Sequence, residues 1–82
     1  MEWVKANELE KAVKIFLELI ERDPDYVPTY YQLAKTYQSL ENSGEAISAY
    51  EQGIRVAGKK NDGHAVSELQ EAMDALREST ES

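Results

Sequence analysis

Apolar residues recur along the chain at the spacing of one helix face, in four separate segments. Within each segment they stand three or four residues apart with polar or charged residues between them, as in an amphipathic helix. No stretch alternates apolar and polar residues as a half-buried strand would. The pattern therefore predicts an all-α chain of four helices. The four stripes are Leu9, Ala12, Val13, Phe16, Leu19 and Ile20; Tyr30, Leu33, Ala34, Tyr37 and Leu40; Ala46, Ile47, Tyr50, Gly53, Ile54 and Ala57; and Val66, Leu69, Met73 and Leu76.

Turn-forming residues separate the four segments. Asp23-Pro24-Asp25 ends the first helix, because the residue before a proline is disfavoured in the helical conformation. Pro28 then suits the first turn of the second helix, where its missing N–H needs no partner. The residues predicted to cap the remaining helix ends are Asn42 or Ser43 before the third helix, Gly58 after it, and Asn61 or Asp62 before the fourth.

The chain also repeats itself. A shift of 34 residues superposes the first stripe on the third, and a shift of about 36 superposes the second on the fourth. This predicts one domain over residues 1–82, with a half repeat at about 1–26, a full repeat at about 27–60 and a capping helix at about 62–77. The tail at 78–82 has no apolar anchor and is predicted to fray. The superposed pairs are Ala12 with Ala46, Val13 with Ile47, Phe16 with Tyr50, and Ile20 with Ile54.

The spacing and the residues together resemble the tetratricopeptide repeat family. Its pattern is W-x2-L-G-x2-Y, then A-x3-F, then P. The small alanines are expected to face the large aromatics, so that two antiparallel helices pack closely. In this sequence the pattern is Tyr30-x2-Leu33-Ala34-x2-Tyr37 and Ala46-x3-Tyr50, with Ala12-x3-Phe16 and Pro24 in the half repeat.

Two positions depart from that pattern: Ala34 replaces the small glycine, and Gly58 stands where a proline is expected. The resemblance implies antiparallel helical hairpins stacked as a short right-handed solenoid of four helices. It also implies a non-catalytic protein–protein interaction module that docks a short peptide or a partner helix on its concave face.

Composition narrows the class of partner. Sixteen acidic residues against nine basic ones give a net charge of −7. Nucleic-acid binding is therefore not expected, because affinity for a phosphate backbone comes from Lys and Arg. The absence of cysteine excludes disulfides and thiolate metal sites. The sequence shows no signal peptide or membrane-spanning stretch, so a cytoplasmic protein without membrane contact is expected.

No arrangement of residues predicts catalysis, a metal or a cofactor. His64 and Glu68 lie one helical turn apart, but no third ligand accompanies them at a defined spacing. Ser67 and Asp62 are near His64 without a nucleophile motif around them. We therefore expect no enzyme activity, no metal and no cofactor.

The resemblance points instead to a peptide groove. Tyr31 lies one step off the stripe that contains Tyr30, so the second helix is predicted to turn it away from the core. In the family, the matching face of each repeat's first helix lines the concave groove. The residues that this implies as partner-binding are Tyr31, Lys35, Gln38 and Ser39 on the second helix and His64, Ser67 and Glu71 on the fourth.

The first helix suggests an alternative role. It carries more apolar surface than one neighbouring helix covers, and such patches mark interfaces. Self-association is therefore predicted through Trp3, Val4, Ile15 and Leu17, with a two-fold homodimer as the simplest form. The other structural alternative is that the chain is the terminal piece of a longer solenoid.

Overall fold

Four α-helices follow one another along the chain. The structure is a computed structural model, and it describes the backbone of residues 3–81 and the side chains of residues 7–79. No strand occurs within this range, so the prediction of an all-α chain with four helices is confirmed. The helices are α1 (Trp3–Arg22), α2 (Val27–Ser39), α3 (Ser43–Lys59) and α4 (Gly63–Glu81).

Each helix packs mainly against its neighbours in the chain: α1 on α2, α2 on α3, and α3 on α4. The connecting segments, residues 23–26, 40–42 and 60–62, are so short that consecutive helices run antiparallel. The arrangement measures 40 × 35 × 15 Å along its principal axes. It is therefore a flat stack of helical hairpins, in which α3 lies between two partners and α1 has one.

The core surrounds α3. Tyr50 is fully buried, and the small residues Ala34 and Ala46 have no exposed surface. This confirms the expected packing of small side chains around a large one. Phe16, the repeat equivalent of Tyr50, is only half-buried, because among the described helices only α2 packs extensively on α1. The other buried hydrophobic residues are Val27, Tyr30, Leu33, Ala49, Ala57, Leu69, Met73 and Leu76.

The helix α3 lies very close to both neighbours at Gly53. A Cβ atom built there would lie 2.9 Å from Cβ of Tyr30 in α2 and 3.2 Å from Cδ1 of Leu69 in α4. Both distances are shorter than ordinary van der Waals contact between carbons. Glycine at this position therefore sets the spacing of three helices.

The same backbone turn ends α2 and α3. In each turn a residue with positive φ follows the C-cap, Glu41 at 61° and Asn61 at 58°. Two amides then donate back to carbonyls in the last helical turn, which is the Schellman arrangement. The four hydrogen bonds are Asn42 N to Tyr37 O at 2.9 Å, Glu41 N to Gln38 O at 2.9 Å, Asp62 N to Ala57 O at 2.9 Å, and Asn61 N to Gly58 O at 3.1 Å.

The residue after each positive-φ position also caps the next helix. Oδ1 of Asn42 accepts from the amide of Glu45 at 3.4 Å, and Oδ1 of Asp62 accepts from the amide of Ala65 at 3.2 Å. Of the predicted alternatives, Asn42 rather than Ser43 is therefore the N-cap of α3, and Asp62 rather than Asn61 is the N-cap of α4.

The ends of α3 and α4 differ from the sequence prediction. Gly58 lies inside α3, so its prediction as the C-cap was wrong: Lys60 is the C-cap, and Asn61 takes the left-handed conformation. The helix α4 continues to Glu81. Residues 78–81 therefore belong to that helix, although no apolar side chain anchors them.

Candidate functional site

An open groove of about 300 Å³ lies between α2 and α4. Its apolar part comes from both helices, and its polar part surrounds the first turn of α4. The described residues that line the groove are Val27, Pro28, Tyr31 and Gln32 from α2, Asp62 from the preceding turn, and His64, Ala65, Glu68 and Leu69 from α4.

Tyr31 is the aromatic side chain of this groove. It follows Tyr30, so the helix rotates it by about 100° from the side chain that packs under the α1–α2 connection. Tyr31 is half-buried, and its ring meets that of Tyr50 edge-on, with centroids 6.2 Å apart and planes at 63°. The expectation that Tyr31 turns away from the core was therefore wrong in part, because one edge of its ring contacts the core.

The polar edge of the groove is acidic. Glu68 and His64 are largely exposed, with Oε1 of Glu68 3.3 Å from Nε2 of His64 one helical turn away. Asp62 lies beside them, where its carboxylate also caps α4. The lining residues include two carboxylates and neither lysine nor arginine. The groove therefore favours a positively charged group next to an apolar one.

Gln38, predicted as a groove residue, has a different partner. Its side-chain oxygen accepts a hydrogen bond from the hydroxyl of Tyr50. This contact satisfies a buried hydroxyl that would otherwise carry the cost of desolvation. Gln38 is half-buried, and it supports the core under the groove rather than lining it.

The remaining predicted groove residues lie outside the lining. Lys35 and Ser39 are exposed on α2, and Ser67 and Glu71 are exposed on α4. Of the seven predicted residues, only Tyr31 and His64 line the groove. Sequence reasoning missed several lining residues, although the spacing of Glu68 four residues after His64 would have indicated one of them. The missed residues are Val27, Gln32, Asp62, Ala65, Glu68 and Leu69.

Burial raises the pKa of the core tyrosines. Burial, followed by the nearby Tyr31, raises the pKa of Tyr50 to about 12. Burial also raises the pKa of Tyr30, with smaller contributions from the charges of Asp25 and Asp23. The Tyr30 hydroxyl donates to the carbonyl oxygen of Pro24 at 2.7 Å. As neutral donors, the Tyr30 hydroxyl joins α2 to the α1–α2 connection and the Tyr50 hydroxyl joins α3 to α2.

The residues predicted for self-association lie on α1. The side chains of Trp3 and Val4 are outside the described residues. Ile15 is 56% exposed and Leu17 is 44% exposed. Two residues of helix correspond to a rotation of about 200°, so these two side chains lie on opposite flanks of α1. One partner helix therefore cannot cover both.

Two other kinds of site were sought in the part of the chain that the structure describes. There, no group of three or more His, Asp or Glu side chains is arranged to hold a metal ion. None of the helices in that part is long and apolar enough to cross a membrane.

Comparison with known proteins places these features in a family. The family model for the tetratricopeptide repeat matches residues 15–48. A solution NMR structure of a tetratricopeptide repeat domain protein from Salinibacter ruber is 42% identical in sequence. It superposes with a TM-score of 0.80 over 89% of this chain and 74% of that chain.

A crystal structure of a tetratricopeptide repeat domain protein from the same organism is also 42% identical. It superposes with a TM-score of 0.77 over 90% of this chain and 83% of that chain. Among curated proteins, Protein DIA2 of Eremothecium gossypii is 31% identical over 74 residues. That match covers 90% of this chain but spans only 11% of the length of that protein.

Proposed function

This chain belongs to the tetratricopeptide repeat family, and we propose that it is a non-catalytic module that docks a short peptide in the groove between α2 and α4. Modules with this fold are in general protein–protein interaction elements. We further propose the division into a half repeat at about 1–26, a full repeat at about 27–60 and a capping helix from about 62.

The observation that carries this proposal is the pairing of Tyr31 with an acidic edge. A half-buried tyrosine offers a large, rigid surface with a polar end, which is the kind of anchor that interfaces favour. Asp62 and Glu68 stand beside it, and the lining contains neither lysine nor arginine. The peptide best suited to this groove therefore has an apolar side chain close to a lysine or arginine.

The charge of the whole chain supports the same partner. A net charge of −7 attracts a basic segment over distances longer than the groove itself and repels an acidic one. Lys35 is exposed outside the lining, so the groove offers no clamp for a terminal carboxylate.

The test is to screen a short-peptide library against the chain and to measure dissociation constants for the selected peptides. We expect selection of peptides with an apolar residue next to Lys or Arg, and we expect Glu68→Lys to weaken binding by about 3- to 10-fold. Glu78→Lys is the matched control, since it reverses an exposed charge of the same helix outside the groove. If Glu68→Lys and Glu78→Lys weaken peptide binding equally, the effect comes from the overall charge of the chain. That result would contradict binding in the groove.

Tyr31→Ala is a second variant with two readouts. It should abolish peptide binding, and it should also lower the melting temperature slightly because the ring contacts Tyr50. Tyr31→Phe tests the hydroxyl by itself, because it keeps the ring and its contact with Tyr50 and removes only that group. Full peptide affinity in Tyr31→Ala at a temperature where that variant is folded would overturn the proposal.

A second candidate function is self-association or a place in a longer solenoid. The observation that favours it is the exposure of Ile15 and Leu19 on α1, at 56% and 44%.

A further inference from the structure

The helix α1 carries a stripe of side chains that the described residues leave exposed or only partly covered. Its members stand alternately four and three residues apart, which is the spacing of the seam between two packed helices. Ile15 and Leu19 at the middle are 56% and 44% exposed. The stripe consists of Glu8, Ala12, Ile15, Leu19 and Arg22.

The internal repeat shows that this face is built for contact with a helix. The residues 34 positions later in α3 are Ala46, Ala49 and Gly53, and all three are buried. The helices α2 and α4 cover them there, since Gly53 faces Tyr30 and Leu69. On the equivalent face of α1, Ile15 and Leu19 replace Ala49 and Gly53. Among the described residues, no second helix covers these two side chains as α4 covers Gly53.

The helix α4 of another copy would pack poorly against the stripe on α1. The helix α2 covers α3 with Tyr31, Ala34 and Gln38, of which Tyr31 and Gln38 contact Tyr50 directly. At the equivalent positions, 36 residues later, α4 has exposed polar residues. Burying them against Ile15 and Leu19 would cost their hydration, so head-to-tail stacking is disfavoured. These polar residues are Ser67, Gln70 and Asp74.

The stripe is instead complementary to itself in the antiparallel direction. Glu8 and Arg22 lie seven residues before and after Ile15, about 10 Å away on either side along the helix. When two copies of the stripe cross antiparallel at Ile15, each Glu8 meets the opposite Arg22. The small Ala12 meets the large Leu19 in the same arrangement.

We propose that two copies of this chain associate through α1, packed antiparallel on α1 of the other copy about a two-fold axis at Ile15. A two-fold axis uses the same surface on both chains and closes the assembly at two copies. The seam is about 21 Å long, which is small for a specific interface, so we expect association in the micromolar range. This contact is separate from the groove between α2 and α4.

The test is sedimentation equilibrium or light scattering over a hundredfold range of concentration. The mass of the wild-type chain should rise from 9.3 kDa towards twice that value. Leu19→Glu should weaken the association by about tenfold or more, because it places a charge in the seam. Leu17→Glu is the matched control, because it makes the same change at a side chain of equal exposure, 44%, on the other flank of α1. The mass of this variant should rise with concentration as that of the wild-type chain does.

Reversing the charge at either end of the stripe tests whether the partner is a second copy of this chain and whether the two helices run antiparallel. Glu8→Arg and Arg22→Glu should each remain monomeric alone, because like charges then face each other across the seam. An equimolar mixture of the two variants should associate again, since every facing pair is then of opposite sign. Peptide binding in the groove between α2 and α4 should be equal in all these variants, which separates this proposal from the proposed function.

Three outcomes would overturn the proposal. The first is a wild-type chain that stays at 9.3 kDa at every concentration, in which case the face accepts a helix of another protein or another part of a longer chain. The second is that Leu17→Glu and Leu19→Glu weaken the dimer equally. The third is a mixture of the two charge variants that stays monomeric while the wild-type chain dimerises.

Discussion

At Gly53, α3 lies very close to both α2 and α4. The Cβ atom of Tyr30, which a substituted residue would meet, is attached directly to the backbone of α2 and moves only with that helix. The space at Gly53 therefore limits how closely the three helices can pack. Replacing this glycine by alanine, which ordinarily stabilises a helix, should here destabilise the folded protein.

We predict that Gly53→Ala lowers the free energy of unfolding by about 1 kcal/mol. The added methyl group forces the helices apart, and that cost of about 1–3 kcal/mol exceeds the gain in helix propensity of about 1 kcal/mol. Urea unfolding at constant pH measures the change.

Gly58→Ala is the control in the same helix. Nothing lies within 4 Å of a Cβ atom at that position, so the substitution should raise the free energy of unfolding by about 0.5–1 kcal/mol through propensity alone. Stabilisation by both substitutions would mean that the close contact at Gly53 relaxes without cost.

At the scale of elements, the two three-residue turns explain how the hairpins close. Each turn ends one helix with a positive-φ residue and begins the next with a side-chain cap, so the backbone amides and carbonyls at both helix ends find partners. Asparagine tolerates the left-handed conformation at Asn61. Glutamate at Glu41 adopts it at a steric cost, because its Cβ lies close to the following carbonyl oxygen and it lacks the short polar side chain that makes asparagine tolerant.

We predict that Glu41→Gly raises the free energy of unfolding by about 0.5–1 kcal/mol. Glycine adopts positive φ without the steric cost, and part of that gain is lost to its greater freedom in the unfolded chain. Asn61→Gly at the equivalent position should change the stability less. Thermal or urea unfolding of both variants checks this, and a destabilised Glu41→Gly would show that the glutamate side chain makes a contact that outweighs the strain.

At the scale of the whole molecule, the tyrosines make stability depend on alkaline pH. The pKa of Tyr50 is raised from 10.0 to about 12, and those of Tyr30 and Tyr37 are raised as well, chiefly by burial. A raised pKa in the folded state means that the neutral form is favoured by folding. The contribution is fully present below pH 10 and is lost as the pH rises towards 12.

We predict that the free energy of unfolding falls by about 2–3 kcal/mol between pH 10 and pH 12 through Tyr50 alone. Urea unfolding in steps across this range measures the loss, and phenolate absorbance reports the titration. Tyr50→Phe should be less stable at neutral pH, where it lacks the hydrogen bond to Gln38, and should lose less on going to alkaline pH. Parallel curves for the two proteins would contradict the assignment to Tyr50.

The sequence by itself determined the four helices, the turns between them and the repeat that relates them. These features are local: an apolar stripe repeats every three or four residues, and Asn42 and Asp62 cap an amide only three residues away. The packing of Tyr50 among alanines was also predictable, because the spacing of the repeat places a large side chain opposite small ones.

Only the tertiary structure decided which side chains share the groove and which serve the core. Periodicity gives the direction of a side chain around its own helix, but the distance to the next helix depends on packing elsewhere, as at Gly53. For this reason Gln38 bonds to Tyr50 and Tyr31 contacts the core as well as the groove. Glu68 lines the groove because the crossing of α2 and α4 brings the first turn of α4 beside Tyr31.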